Sequence, residues 1–112
     1  REIYLDELSR RVGSARVFTN THPGRIHDAA RIASAFPNAR FVFVKRDIED
    51  SALRIFLRKY QTSNYYAYDL NSIYRHLKWY HNMIDQLAGK LPDISRVVRY
   101  EEMVDDPARA VE

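Results

Sequence analysis

Residues 36–47 read Phe-Pro-Asn-Ala-Arg-Phe-Val-Phe-Val-Lys-Arg-Asp, and this stretch decides the fold. Its continuous apolar run, over residues 40–44, is typical of a strand buried on both faces in a parallel sheet. The run stops abruptly at Lys45, Arg46 and Asp47. Ligands bind at the carboxyl ends of strands in such sheets, so this charged end is the first place to look for a site.

The same alternation of strands and helices continues on both sides of this stretch. Short β-prone runs occur at residues 15–19 and 96–100. Apolar spacing predicts helices over residues 1–12, 26–36 and 70–88, a further helix before Tyr60, and a last helix with Pro107 in its first turn. Gly13 with Ser14, and Gly89, are stop signals, and residues 61–69 are predicted as a loop. The pattern predicts a three-layer α/β fold, with flanking helices on a mostly parallel sheet.

Length and composition narrow the classes of protein and of site. The chain has 112 residues, which is room for one domain, and its 46% hydrophobic content argues against disorder. A net charge of +3 suits an anionic ligand but is too small to indicate a nucleic-acid surface. The chain has no cysteine, which excludes disulfides, thiolate metal sites and thiol nucleophiles. No apolar run approaches 18 residues, so no membrane span is predicted.

The first candidate site is the polar loop that follows the predicted strand at residues 15–19. Residues 19–23 read Thr-Asn-Thr-His-Pro, and the imidazole of His22 suits a general base near neutral pH. Pro23 would stiffen the loop and fix the direction of His22. The alternative is a capped helix start with an incidental histidine.

The second candidate site is the charged end of the strand at residues 40–44. A guanidinium at Arg46 can bind a phosphate there, and the next helix adds its N-terminal dipole and the hydroxyl of Ser51. The alternative is that Arg46 pairs with Asp47, Glu49 or Asp50 and that Ser51 caps the helix.

Tyrosines and histidines form a second conspicuous group. Tyrosines are dense between residues 60 and 100 and could stack on bases or sugars, but packing between a helix and a sheet is the more usual role of such rings. His27 lies in a first helical turn, and His76 and His81 lie on the long helix. A metal site built from His76 and His81 is disfavoured because a spacing of five puts them on different faces of the helix.

Three collinear segments resemble one family, the sulfotransferases that use 3′-phosphoadenosine 5′-phosphosulfate (PAPS). Residues 36–47 resemble the family segment in which Phe-Pro-Asn-Ala-Arg and an apolar strand precede Arg-Asp. Residues 19–23 are in register with the family's Thr-Asp-Lys-x-Pro loop and similar to the Lys-Thr-His-x-Pro loop of cytosolic sulfotransferases. Residues 99–107 are similar to the ending Arg-Tyr-Glu-Asp-Leu-Val-x-Asp-Pro. The likeness is strongest to the bacterial type often attached to tetratricopeptide repeats, and it extends to tyrosylprotein sulfotransferases.

The resemblance implies a nucleotide-kinase-like, P-loop-type α/β fold and a reaction without a metal. A sulfuryl group would pass from PAPS, the co-substrate, to an acceptor hydroxyl or amine. Arg46 would hold the 3′-phosphate of the nucleotide, and His22 would take the proton of the acceptor.

This chain departs from the family pattern at several of these positions. The family's lysine in the first loop falls on Thr21 or Asn20, and its 3′-phosphate serine falls on Arg54. Ser51 lies only five residues after Arg46 and is not the motif serine. Thr21, Ser51 and Arg54 nevertheless stay with Arg46 as the expected nucleotide-binding set.

Two family segments have no counterpart in these residues: the Gly- and Ser/Thr-rich phosphosulfate-binding loop and the basic Gly-rich segment that closes over the nucleotide. We therefore expect residues 1–112 to be a partial sulfotransferase domain and the isolated chain to be inactive. A non-catalytic nucleotide- or partner-binding module is the first alternative, favoured by the missing lysine and serine. An ATP-using relative of the fold is disfavoured because no Gly-rich Lys-Ser/Thr loop occurs. The acceptor stays open, as does pairing between chains through a sheet edge, and a cytoplasmic location in a bacterial cell is expected.

Overall fold

The strand predicted from residues 40–44 is present in the computed structural model, which describes residues 2–13, 17–58 and 64–109. It is not buried on both faces as predicted, because Phe43 is buried whereas Val42 and Val44 are 67% and 49% exposed. Strand β1 spans Phe41–Lys45 and pairs in parallel with β2, Ser95–Arg99. Phe41 lies opposite Ser95 and Lys45 lies opposite Arg99, so the two strands run in step from end to end. A parallel pair needs a long crossover, and here the crossover contains the helices between the strands.

Helices α3 and α4 form this crossover and build the core of the unit that comprises residues 41–112. Helix α3 spans Ile48–Leu57, a short 3-10 helix covers Tyr65–Tyr68, and α4 spans Leu70–Lys90. Ile73 and Ile84 of α4 are fully buried, and Phe43 of β1 and Ala52 of α3 are also buried. The helical period of the apolar residues in α4 therefore produces the buried face that the sequence predicts. Helix α5, Tyr100–Asp105, follows β2 directly.

Aspartates begin both long helices of this unit. The Asp47 carboxylate accepts a hydrogen bond from the backbone N–H of Asp50 at 2.8 Å at the start of α3. The Asp69 carboxylate accepts one from the N–H of Ser72 at 2.8 Å at the start of α4. Both are N-caps that satisfy backbone donors left unpaired in the first turn of a helix.

Residues 1–40 form a separate helical unit. Helix α1 spans Glu2–Val12 and ends at Gly13, whose φ of 58° is the left-handed conformation that glycine adopts readily. A 3-10 helix over Pro23–Asp28 leads into α2, Ala29–Ala35. The helix predicted over residues 26–36 is thus divided into a 3-10 part and an α-helical part.

The predicted strand at residues 15–19 is wrong where the structure describes it. Residues 17–19 have no strand pairing, and Val17 is 82% exposed, while residues 15 and 16 lie outside the described residues. A β-prone run becomes a strand only when another strand supplies the hydrogen-bond ladder, which is not a local property. In the part of the chain that is described, the sheet has the two strands β1 and β2.

One predicted helix boundary is also wrong. Gly89 does not end α4, because glycine weakens a helix interior without stopping it, and the helix continues to Lys90. Helix α4 ends just before Pro92, which has no N–H and disfavours helical backbone at Leu91. Pro107 lies in a turn after α5, which ends at Asp105, and the helix predicted to begin there would run into residues 110–112, which lie outside the described residues.

The loop predicted at residues 61–69 contains the Tyr65–Tyr68 3-10 helix, and residues 61–63 lie outside the described residues. Among residues 2–13, 17–58 and 64–109, no helix has the length and apolar content needed to cross a membrane.

Candidate functional site

A cleft of about 300 Å³ lies at the carboxyl ends of the two parallel strands. One side is formed by the end of β1 and the first turn of α3, from Lys45 to Glu49. The other sides are formed by α4 and by the junction of β2 with α5. The strands end at the same level, so the residues after each of them meet in one place. The lining residues are Lys45, Arg46, Asp47, Ile48, Glu49, Tyr74, His81, Arg99 and Glu101.

Arg46 is the first residue after β1, and two groups contact its half-buried side chain. Its Nε donates a hydrogen bond to Asp50 Oδ2 at 2.7 Å, and a terminal nitrogen contacts the same oxygen. The guanidinium carbon lies 4.3 Å from the centre of the Tyr100 ring, in cation–π contact. Arg46 therefore lies at the end of a strand, as the sequence predicts. Of Asp47, Glu49 and Asp50, the three acidic residues that the sequence offered as its partner, Asp50 is the one that it contacts.

Asp50 joins two of the predicted site residues. Its second oxygen, Oδ1, lies 3.4 Å from Nε of Arg54, one turn further along α3. Burial acts to raise the pKa of Asp50, but the hydrogen bonds and charges of Arg46, followed by those of Arg54, outweigh it and hold the pKa below its ordinary value. Asp50 is therefore a carboxylate at neutral pH and bridges both guanidinium groups.

Ser51 and Arg54 lie on α3 but do not line the cleft. Ser51 does not cap the helix: Asp47 is the N-cap, and the Ser51 N–H is used in a hydrogen bond to the Asp47 carbonyl at 3.0 Å. The side chain of Arg54 is 67% exposed, in keeping with its position on the second turn of α3.

Asp47 and Glu101 join the two strand-end segments. The backbone N–H of Asp47 donates to Glu101 Oε1 at 2.8 Å, across 54 residues of sequence. This hydrogen bond is the largest cause of a pKa of Glu101 below its ordinary value, and the N–H of Glu101 itself acts in the same direction. Glu101 therefore carries a negative charge at neutral pH.

Helix α4 contributes residues to the cleft that the sequence did not indicate as site residues. Tyr74 and His81 lie seven residues apart, about two turns, and both line the cleft. Lys45 donates to Asp85 Oδ1 of α4 at 2.5 Å. Burial lowers the pKa of His81 below its ordinary value, and the positive charge of Lys45 acts in the same direction. His81 is therefore a neutral imidazole at neutral pH.

His22 and Thr21 belong to the unit of residues 1–40 and are exposed. The backbone at His22 is extended, with φ −146° and ψ 92°, as expected for a residue before proline. The His22 carbonyl accepts the Arg25 N–H at 2.9 Å, and a β-carbon added at Gly24 would lie 3.2 Å from the imidazole Cε1. The ring of His22 thus packs over Gly24. In the same loop, the side-chain amide of Asn20 donates to the Tyr4 hydroxyl at 3.2 Å.

Aromatic rings of α4 contact one another and the ring of Tyr66, whereas the sequence favoured packing between a helix and a sheet. The His76 ring stacks on Tyr66 with 3.8 Å between ring centres and is surrounded by Trp79 and Tyr80. Burial lowers the pKa of His76 below its ordinary value. No group of three or more histidine or acidic side chains suited to a metal ion occurs within residues 2–13, 17–58 and 64–109.

Comparison with known proteins gives one match. A family model described as "Sulfotransferase family" matches residues 1–112. Searches of the curated proteins and of the solved structures each found no match.

Proposed function

Because this chain belongs to the sulfotransferase family, we propose that it takes part in sulfuryl transfer from PAPS to an acceptor hydroxyl or amine. In this reaction the bond between sulfur and the bridging phosphate oxygen breaks, and a new bond forms between sulfur and the acceptor atom. The acceptor proton passes to a base, and adenosine 3′,5′-bisphosphate leaves with the electron pair of the broken bond. Positioning and charge stabilisation contribute most to catalysis of such transfers.

The position of the Arg46 guanidinium supports the proposal most directly. Its guanidinium lies at the end of a parallel strand, next to the start of α3, and lines an open cleft. A planar guanidinium can donate two parallel hydrogen bonds to a phosphate. These features support Arg46 as the group that binds the 3′-phosphate of PAPS, with Lys45 and Arg99 as further cations of the same cleft.

The residues around Arg46 fit a phosphate with one adjustment. Asp50 already accepts hydrogen bonds from Arg46, so a phosphate must share that guanidinium or displace the carboxylate. Arg54 and Ser51, on the same helix, complete the nucleotide-binding set that we propose. Because Arg54 also pairs with Asp50, displacement of this carboxylate would release both arginines at once.

His22 is the proposed general base, and Thr21 is the proposed neighbour of the transferring group. The imidazole packs over Gly24 and follows an extended backbone, which gives it a defined direction. The role of His22 is tested by measuring the rate of sulfuryl transfer by the intact protein and by its variants His22→Ala and His22→Gln. We expect both variants to lose about 100-fold or more in kcat, the usual contribution of a general base. Unchanged turnover in both variants would remove His22 from this role.

The nucleotide site is tested by comparing two ligands that differ in one phosphate. Isothermal titration calorimetry would measure binding of adenosine 3′,5′-bisphosphate and of adenosine 5′-monophosphate to the protein. We expect the bisphosphate to bind about ten times more tightly or better, the scale of a charged hydrogen bond. Equal affinities would contradict a 3′-phosphate site.

A nucleotide-binding module without transfer activity is the second candidate. The uncharged residues Asn20 and Thr21, at the place of the family's lysine, favour it, as does Arg54 at the place of its serine. Tight binding of the bisphosphate by an intact protein that transfers no sulfuryl group to any acceptor would support this candidate over the enzyme.

A further inference from the structure

We propose that Glu101 is a positioning residue for Arg46, an inference that rests on the proposed phosphate site. Its carboxylate holds the backbone immediately after Arg46, and so fixes where the guanidinium lies in the cleft. Glu101 acts through the Asp47 N–H and not through a contact with the ligand.

The hydrogen bonds of Asp47 show why this backbone needs an external anchor. Its carboxylate accepts the Asp50 N–H at 2.8 Å, and its carbonyl accepts the Ser51 N–H at 3.0 Å. Both the carboxylate and the carbonyl of Asp47 therefore already accept hydrogen bonds from the first turn of α3. The N–H of Asp47 cannot be satisfied within that turn, because the first donors of a helix have no partner in the helix. Glu101 Oε1 supplies the partner at 2.8 Å.

The second oxygen of Glu101 shows that the carboxylate is directed inward. Oε2 is shielded from solvent and has no hydrogen-bond partner among the described residues. A ligand in the open cleft therefore does not reach this oxygen without a movement of the side chain. A carboxylate in direct contact would also repel a phosphate. Both points favour a role toward the backbone over a role in binding the ligand.

Tyr100 completes the arrangement from the neighbouring position. Its ring lies 4.3 Å from the guanidinium carbon of Arg46, while Glu101 holds the peptide N–H of the next residue, Asp47. Two consecutive residues at the start of α5 thus contact the side chain of Arg46 and the backbone that follows it. The register of the strands brings Arg46 and Asp47 to the same level as Tyr100 and Glu101, because Lys45 lies opposite Arg99.

The test compares Glu101→Ala, Glu101→Gln and a matched control, Asp105→Ala. Glutamine keeps an oxygen that can accept the Asp47 N–H, whereas alanine removes it. Asp105 is the last residue of α5, and its side chain is exposed, so its replacement removes one negative charge from the same helix without touching Asp47. Three readouts apply: hydrogen exchange of the Asp47 amide, the NMR signal of the Arg46 Nε–H, and affinity for adenosine 3′,5′-bisphosphate.

We expect Glu101→Ala to speed exchange of the Asp47 amide and to weaken bisphosphate binding, each by about tenfold, the scale of a charge-assisted hydrogen bond. The Arg46 signal should shift in the same variant. Glu101→Gln should restore affinity to within about threefold of the wild type, since a neutral acceptor is weaker than a charged one. Asp105→Ala should leave all three readouts at their wild-type values.

Unchanged Asp47 exchange and an unshifted Arg46 signal in Glu101→Ala would overturn the inference. So would equal losses of affinity in Glu101→Gln and Glu101→Ala, because a positioning role requires rescue by the amide. A wild-type protein that binds no bisphosphate would contradict the proposed function instead. The exchange and NMR readouts would still decide whether Glu101 holds the Arg46 segment.

Discussion

The carboxylate of Asp50 occupies the hydrogen-bonding edge of Arg46 that a phosphate would use. Arg46 Nε donates to Asp50 Oδ2 at 2.7 Å, and the other Asp50 oxygen lies toward Arg54. The two residues lie four positions apart, so the pair forms within a single segment of chain. An anion that binds Arg46 therefore competes with a carboxylate that is always present.

Replacing Asp50 with asparagine should increase affinity for adenosine 3′,5′-bisphosphate. The neutral amide competes less well for the guanidinium, so less free energy is lost when the phosphate displaces it. The pair is partly exposed, and we expect a modest gain of about two- to fivefold by calorimetry. Glu49→Gln is the matched control, because it removes one negative charge from the same turn of α3. An equal gain in both variants would show a general charge effect in place of competition for Arg46.

Replacing Arg46 with alanine should weaken bisphosphate binding by about 1.5–3 kcal/mol, the range for a hydrogen bond to a charged group. Binding of adenosine 5′-monophosphate should change much less, because this nucleotide lacks the 3′-phosphate. Arg75→Ala, an exposed arginine of α4 that does not line the cleft, controls for net charge. Equal weakening for both nucleotides would show that Arg46 does not select the 3′-phosphate.

Replacing Asp69 with alanine should destabilise the protein through the start of α4. The variant loses the cap on the Ser72 N–H, and we expect the unfolding temperature to fall by about 5 °C. Asp69→Ser keeps a capping oxygen and should retain most of the stability. Circular dichroism at increasing temperature would measure both. A larger loss in the serine variant than in the alanine variant would contradict a capping role.

The contribution of Asp69 should also disappear in acid. The hydroxyl and the backbone N–H of Ser72 lower the pKa of Asp69 below its ordinary value of 3.8. Protonation in the folded state is therefore unfavourable, so this stability is present above pH 3.8 and is lost as pH falls through the lowered pKa. The difference in unfolding temperature between wild type and Asp69→Ala should be complete at pH 6 and should shrink below about pH 3.8.

Stability should fall when pH drops below the ordinary histidine pKa of 6.5. Burial lowers the pKa of both His76 and His81, so the unfolded chain binds more protons than the folded chain in that range. Urea unfolding between pH 5 and pH 8 would measure this loss. The double variant His76→Gln and His81→Gln should show a smaller dependence, whereas His27→Gln controls for loss of an exposed histidine. A wild-type stability that does not change between pH 5 and pH 7 would contradict burial of the two rings.

Local signals explain which parts of the fold were predictable. The apolar run at residues 40–44 and the helical period of residues 70–88 each carry their own structural preference, and both elements are present within one or two residues of their predicted ends. The strand predicted at residues 15–19 depends on a partner strand, which a local pattern cannot supply. Gly89 was interpreted by residue type alone, although the proline that follows at position 92 decides where α4 ends.

The site was predictable only where its residues are close in sequence. Arg46 and Asp50 lie four residues apart, so the sequence itself offered their pairing as an alternative. Glu101 meets Asp47 across 54 residues, and Lys45 meets Asp85 across 40 residues. Such pairs depend on the register of two parallel strands and on the placement of α4, neither of which a motif records.

The equal lengths of β1 and β2 have a consequence for recombination between relatives. Because the strands end in step, residues 46–47 and residues 100–101 meet only while each strand keeps its five residues. A single-residue deletion in β2 would move Tyr100 and Glu101 by one position relative to β1, so that they would no longer lie beside Arg46 and Asp47. We therefore expect a chimaera between relatives to keep this contact only if both strands, with the two residues that follow each, are exchanged together.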